Sequence, residues 1–187
     1  MGRIIVTEFV SLDGVAEAPG GGEDFPRGGW AFAVSRGEEG DAFKLQETRD
    51  SAALLLGRRT YEGFAKAWPP QRNEFADKFN SMPKYVVSST LTDPSWTNTS
   101  VLEGDDVTAA VTRLRDEVDG DLVVHGSLQL VQALLEADLV DELRLMVFPL
   151  VLGDGKRLFG ATSATKSLTL ASTQAVGAGV LINVYTR

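Results

Sequence analysis

Ala52-Ala53-Leu54-Leu55-Leu56-Gly57-Arg58-Arg59-Thr60-Tyr61 decides how this chain folds. Its first half is a short apolar run ended by glycine, the pattern of a strand buried on both faces. Its second half leads into a helix from Thr60 to Trp68, which Pro69-Pro70 stops. A buried strand that turns at a glycine straight into a helix is the repeating unit of a parallel sheet.

The same unit recurs on both sides. Upstream, Arg3 to Val10 is rich in β-formers and ends at the turn Ser11-Leu12-Asp13-Gly14. The long stretch holding Pro19-Gly20-Gly21-Gly22 and Gly28-Gly29-Trp30 reads as a flexible loop, of a length that often serves as a lid. Glu38 to Arg49 reads as a helix with Phe43 and Leu45 among its apolar residues. Downstream, Arg72 to Met82 is helical with Phe75 and Phe79 on one face, and Lys84 to Ser89 is a strand running into a turn. Asp106 is placed to cap a helix whose apolar residues Val107, Ala110, Val111, Leu114 and Val118 have helical spacing. Leu122-Val123-Val124 is a buried-type strand. Ser127 is placed to cap the next helix, whose Leu128, Leu130, Val131, Leu134 and Leu135 leave little polar surface. Leu143 to Phe148 is another strand, and Leu168 to Ala175 with Val180 to Tyr185 form a hairpin turned at Gly177 and Gly179. These elements predict a single α/β domain over residues 1–187. Its sheet is mixed and mainly parallel, with antiparallel C-terminal strands and helices on both faces.

Composition narrows the function. Hydrophobic residues make up 43% and charged residues 24%, an ordinary globular balance. A net charge of -8 and a pI near 4.7 repel nucleic acid and anionic lipid at long range. An anionic small ligand is still bindable where backbone N–H groups and a few basic side chains converge. The absence of cysteine excludes disulfides, thiolate metal sites and a cysteine nucleophile, and the single histidine excludes multi-histidine metal sites. No apolar stretch is long enough for a signal peptide's core or a membrane span, so the cytoplasm is the expected location.

Three strand ends carry similar residues: Gly57-Arg58-Arg59-Thr60, Ser88-Ser89-Thr90 and His125-Gly126-Ser127. In an open α/β sheet, ligands bind outside the carboxyl ends of the strands, where helix N-termini offer free N–H groups and a positive dipole end to phosphate. Each segment alone also has a plain structural reading: a helix start with solvated arginines, a polar turn, a tight turn with a cap. Together they point to a site for a phosphate-rich ligand. Asp13 is either a carboxylate beside the substrate or a turn aspartate bonded to its own backbone. His125 is either a proton donor or a hydrogen-bonded structural residue.

The chain resembles the dihydrofolate reductase-like superfamily, and within it the reductase domain of riboflavin biosynthesis and its stand-alone relatives. Ser11-Leu12-Asp13-Gly14, Leu56-Gly57-Arg58-Arg59-Thr60-Tyr61, Pro83 to Ser89, Gly126 to Val131, Val140 to Leu145 and Pro149 to Phe159 carry the likeness, in order along nearly the whole chain. The resemblance implies an NADPH site. Arg58, Arg59 and Thr60 would meet the pyrophosphate and the 2′-phosphate, and Ser88 and Ser89 the adenosine end. Gly57 would shape the first turn, and Gly126, Ser127, Leu128 and Gln129 would support the pyrophosphate. Asp13 would lie near the nicotinamide. The activity implied is hydride transfer to a small heterocyclic or sugar-like substrate, in the riboflavin enzyme 5-amino-6-(5-phosphoribosylamino)uracil. Dihydrofolate reduction, and a non-catalytic NADP-binding or regulatory role, are the alternatives. Two positions depart from the riboflavin enzyme: His125-Gly126-Ser127 replaces a Glu-Gly-Gly run, and Thr7 replaces a lysine. A homodimer is expected, because relatives pair and Leu168, Leu170, Val180, Leu181 and Ile182 offer more apolar strand surface than one sheet edge should expose.

Overall fold

The computed structural model describes residues 2–102, 104 and 106–187. In chain order the elements are β1 (Arg3–Ser11), a 3-10 turn (Trp30–Ala33), α1 (Gly37–Asp50), β2 (Ser51–Gly57), α2 (Arg58–Ala67), α3 (Glu74–Ser81) and β3 (Lys84–Val87). There follow β4 (Thr99–Leu102), α4 (Val107–Glu117), β5 (Asp121–His125), α5 (Leu128–Glu136), β6 (Glu142–Phe148), β7 (Thr169–Val176) and β8 (Val180–Thr186).

The strands form one sheet in the order β4-β3-β2-β5-β1-β6-β8-β7. Every pairing from β4 across to β6 is parallel, while β8 runs antiparallel to both β6 and β7. The expected mixed sheet is therefore present. β1 lies at its centre, between β5 and β6, with Thr7 opposite both His125 and Arg144.

The two faces of the sheet differ. One is a continuous apolar core: Ile4, Val6, Leu55, Leu122, Val124 and Leu143 pack under Val111 and Leu114 of α4 and Leu130, Val131 and Leu134 of α5. The other carries two separate apolar clusters. Trp30, Met146, Phe148 and Ile182 form one, joined by Phe43 of α1. Leu54, Leu56, Val86 and Trp96 form the second, with Tyr61 of α2 and Phe79 of α3. Between them α1 buries Lys44, Glu47 and Thr48 against the sheet, whereas Phe43 and Leu45 are only half-buried.

Several expectations need correcting. Asp106 caps α4 as expected, accepting the Ala109 N–H at 2.9 Å. Ser127 does not cap α5: it sits in the left-handed region at φ 57°, and its hydroxyl is engaged elsewhere. β4 escaped the sequence reading because it is four residues long and mostly half-exposed, with no alternation to betray it. In the C-terminal hairpin Leu168, Leu170 and Leu181 are exposed, but Val180 and Ile182 are buried in the core. No described helix is long and apolar enough to cross a membrane.

Candidate functional site

Parallel pairing puts the carboxyl ends of β3, β2, β5 and β1 side by side on one edge. Two of the turns there interlock. The Gly57 N–H donates to Ser127 Oγ at 2.9 Å, and the Ser127 N–H donates to Thr60 Oγ1 at 2.8 Å. The Ser127 hydroxyl in turn donates to the His125 carbonyl at 3.2 Å. Gly126 has φ +57°, and a Cβ there would lie 3.1 Å from Thr60 Cγ2, so glycine is what lets the turns approach. Neither α2 nor α5 has a side-chain cap, which leaves their first N–H groups facing the edge.

Arg58 and Arg59 are exposed in the first turn of α2, and Arg58 meets Glu62 at a loose 3.8 Å. On the neighbouring strand, Ser88 Oγ accepts the N–H groups of Thr90 and Leu91 at 3.1 and 3.0 Å, closing the turn that carries Ser89. Leu128 and Gln129 start α5, the first half-buried and the second exposed. Gly57 to Thr60, Ser88 with Ser89, and Gly126 to Gln129 thus meet on three adjacent strands.

Asp13 follows β1 at the same edge. Its carboxylate accepts the Ser11 hydroxyl at 2.7 Å, the Leu152 N–H at 3.0 Å and the Gly153 N–H at 2.7 Å. These bonds hold its pKa well below the usual carboxylate range, the Ser11 hydroxyl contributing most. Asp13 is therefore an ionised clasp between two turns. It is bonded to main chain beyond its own turn, which neither sequence reading foresaw.

The sequence reading missed a buried polar group under α1. Arg144, Thr7 and His125 form a row across β6, β1 and β5 at one register level. From α1, Lys44 Nζ donates to Thr7 Oγ1 at 2.9 Å and pairs closely with Glu47. The Thr7 hydroxyl donates to Glu47 Oε1 at 3.0 Å, and Arg144 lies 3.4 Å from Glu47 Oε2. Arg144 also bonds Glu142 at 2.5 Å. Where the riboflavin enzyme has a lysine, this chain thus has Thr7 receiving the ammonium of Lys44. Burial opposes ionisation of Glu47, but the charge and hydrogen bond of Lys44, with the charge of Arg144, outweigh it and hold the pKa below the usual value. His125 packs edge-on against Phe79 with ring centroids 5.2 Å apart. Burial, together with the charges of Lys44 and Arg144, pushes its pKa down to about 3, so the imidazole is neutral. Its Nε2 is buried and has no hydrogen-bond partner among the described residues. The one available signal was Thr7-Glu8 interrupting the apolar run Ile4-Ile5-Val6 and Phe9-Val10.

The sheet order and the strand-end turns make this a dihydrofolate reductase-like fold. The dihydrofolate reductase of Enterococcus faecalis superposes with a TM-score of 0.58 at 14% identity, covering 99% of this chain and 96% of that one. Within that fold the chain belongs to the RibD C-terminal domain family, whose model matches residues 3–182. The Bacillus subtilis protein YyaP is 27% identical over 188 residues, spanning 98% of this chain and 94% of its own. A solved Shewanella sp. PV-4 protein, described as a riboflavin biosynthesis protein, superposes with a TM-score of 0.80 at 23% identity, covering 99% and 98% of the two chains. At family level this is a reductase-type domain.

Proposed function

We propose that the chain is an NADPH-dependent reductase acting on a C=N or C=O bond of a small heterocyclic or sugar-like molecule. The observation that carries this reading is the interlocked pair of turns, Gly57 to Thr60 with Gly126 to Ser127, between two uncapped helix starts. Glycine at position 126 keeps the turn free of a Cβ, which suits close approach of a pyrophosphate. Arg58 and Arg59 stand beside it with planar, permanently charged groups suited to the 2′-phosphate. Ser88 and Ser89, one strand further out, suit the adenosine end. The bound cofactor would supply the hydride, while these residues bind and orient it. The Enterococcus enzyme, whose structure contains NADP(H), supports a nicotinamide cofactor on this fold.

Asp13 serves this reading as the residue that sets the turn beside the substrate, so its loss should affect turnover more than cofactor binding. The polar row containing Thr7 and His125, the two departures from the riboflavin enzyme, favours a substrate other than its phosphoribosyl pyrimidine. A homodimer through the exposed surface of the β7–β8 hairpin, with Leu170 on β7 and Leu181 on β8, completes the reading. Light scattering giving the mass of one 20.1 kDa chain at micromolar concentration would refute the dimer.

Calorimetry with NADPH and NADH at matched salt tests the cofactor. NADPH should bind tighter by roughly ten-fold or more, since a charge-assisted bond to phosphate is worth about 1.5–3 kcal/mol. Equal affinities would sink the assignment. Tight NADPH binding without turnover on pyrimidine, pterin or sugar-like substrates would favour a regulatory NADP-binding protein instead.

A further inference from the structure

Reduction of a C=N or C=O bond consumes a proton as well as a hydride, and the groups at the strand edge are poorly suited to supply it. Asp13 is fixed as a carboxylate by three hydrogen bonds. Glu47 is held ionised by Lys44 and Arg144. His125 is neutral, with nothing to release as an acid near neutral pH. Lys84 donates to the carbonyls of Asn80, Met82 and Thr97, beneath β3 and away from the turns.

Glu8 is different. It lies on the central strand, one residue beyond the Thr7–His125 pairing, which brings it level with Gly126. Alternation along β1 turns it away from Thr7. The residue is 4% exposed, and its Oε1 is buried without a hydrogen-bond partner among the described residues. We propose that Glu8 is the acid of the reaction, a buried carboxyl group beside the Gly126 turn with one oxygen free of partners. The proposal rests on the reductase reading above.

Burial pushes the Glu8 pKa well above the ordinary value, and the Glu47 carboxylate adds to this. The Lys44 ammonium and the Gly126 N–H act in the opposite direction and do not overcome it. The shift favours the protonated carboxylic acid, the form a general acid needs. In the reaction the substrate carbon takes the hydride, and the π pair moves to its nitrogen or oxygen. That atom takes the Glu8 proton. Glu8 remains as a carboxylate and recovers a proton from solvent.

A test that needs no substrate uses the charge of the cofactor ring. NADP+ carries a positive nicotinamide and NADPH a neutral one, so a carboxyl group beside the ring loses its proton more readily with NADP+. Carbon-13 NMR of glutamate-labelled protein should show one carboxyl group protonated at neutral pH, free and with NADPH. Calorimetry in two buffers of different ionisation enthalpy should show more proton release on binding NADP+ than on binding NADPH, the 2′-phosphate contributing equally to both. Glu8→Gln should bind NADPH within a few-fold of wild type and lose the extra proton release with NADP+. A full set of carboxyl groups titrating in the ordinary range would overturn the proposal, and this wild-type measurement stands even if the variant folds poorly. Equal proton release from Glu8→Gln would overturn it too. Failure of the wild-type protein to bind NADPH would instead overturn the reductase reading on which the proposal stands.

Discussion

The two faces of one sheet are built by opposite rules. Under α4 and α5, alternate residues of β1, β2, β5 and β6 make one apolar core, interrupted on β1 by Glu8. Under α1, α2 and α3, the residues on the other side make two apolar clusters parted by Lys44, Glu47, Thr7, His125 and Arg144. Dispersion and the hydrophobic effect hold the first face, and they tolerate rearrangement of similar volumes. The divided face is held by charges that must stay paired, because an ion left alone in a low dielectric costs several kcal/mol.

The largest effect should come from breaking the divided face on one side only. Glu47→Ala leaves Lys44 buried without its carboxylate and should lower unfolding free energy by about 3–5 kcal/mol, measured by urea denaturation. On the apolar face, Leu134→Ala opens a cavity and should cost about 2–5 kcal/mol. The contrast sharpens with Lys44→Met combined with Glu47→Leu. Removing both charges should leave stability within about 1 kcal/mol of wild type or raise it, while disturbing the site that the row supports. A double variant as unstable as Glu47→Ala alone would mean that the ion pair is structural cement and that the two faces do not differ in kind.

Acid should also separate the faces. The His125 pKa falls from 6.5 to about 3 on folding. The unfolded chain therefore takes up a proton in that window and the native one does not, so stability falls as pH drops from 6.5 towards 3. His125→Gln should flatten that slope. Glu8 works with the opposite sign: its raised pKa means stability falls as pH rises above the ordinary glutamate value, and Glu8→Gln should be relatively more stable at neutral pH. Denaturation series across pH read both. At the solvent edge the changes are smallest. Arg58→Ala should weaken NADPH binding roughly ten-fold, the worth of about one charge-assisted bond, with little change in unfolding. Asp13→Asn should leave NADPH affinity within a few-fold; a large loss would show that the clasp shapes the cofactor turns.

Much of the apolar face was legible in advance. Val111 and Leu114 of α4 and Leu130, Val131 and Leu134 of α5 show helical spacing in the sequence, and all are buried. The divided face was not. Read alone, α1 offers Phe43 and Leu45 as its apolar face, yet it turns Lys44 and Glu47 inward because Thr7 and Arg144 wait there. Ser127 looked like a cap because serine before a helix usually is one, but its hydroxyl meets Gly57 from a strand 70 residues earlier.

The sequence by itself determined the βα units, the glycine turns at the strand ends and the C-terminal hairpin. Each depends on neighbours within a few residues: periodicity, backbone freedom at glycine, proline stops. Only the tertiary structure decided what the turns and polar residues do. Thr7 and Glu47 lie 40 residues apart and Glu47 and Arg144 97 apart, so their pairing exists only once the register of β1 between β5 and β6 is set. Register is a property of the whole sheet, and a shift of one residue would send Thr7 to the apolar face and Glu8 beneath α1.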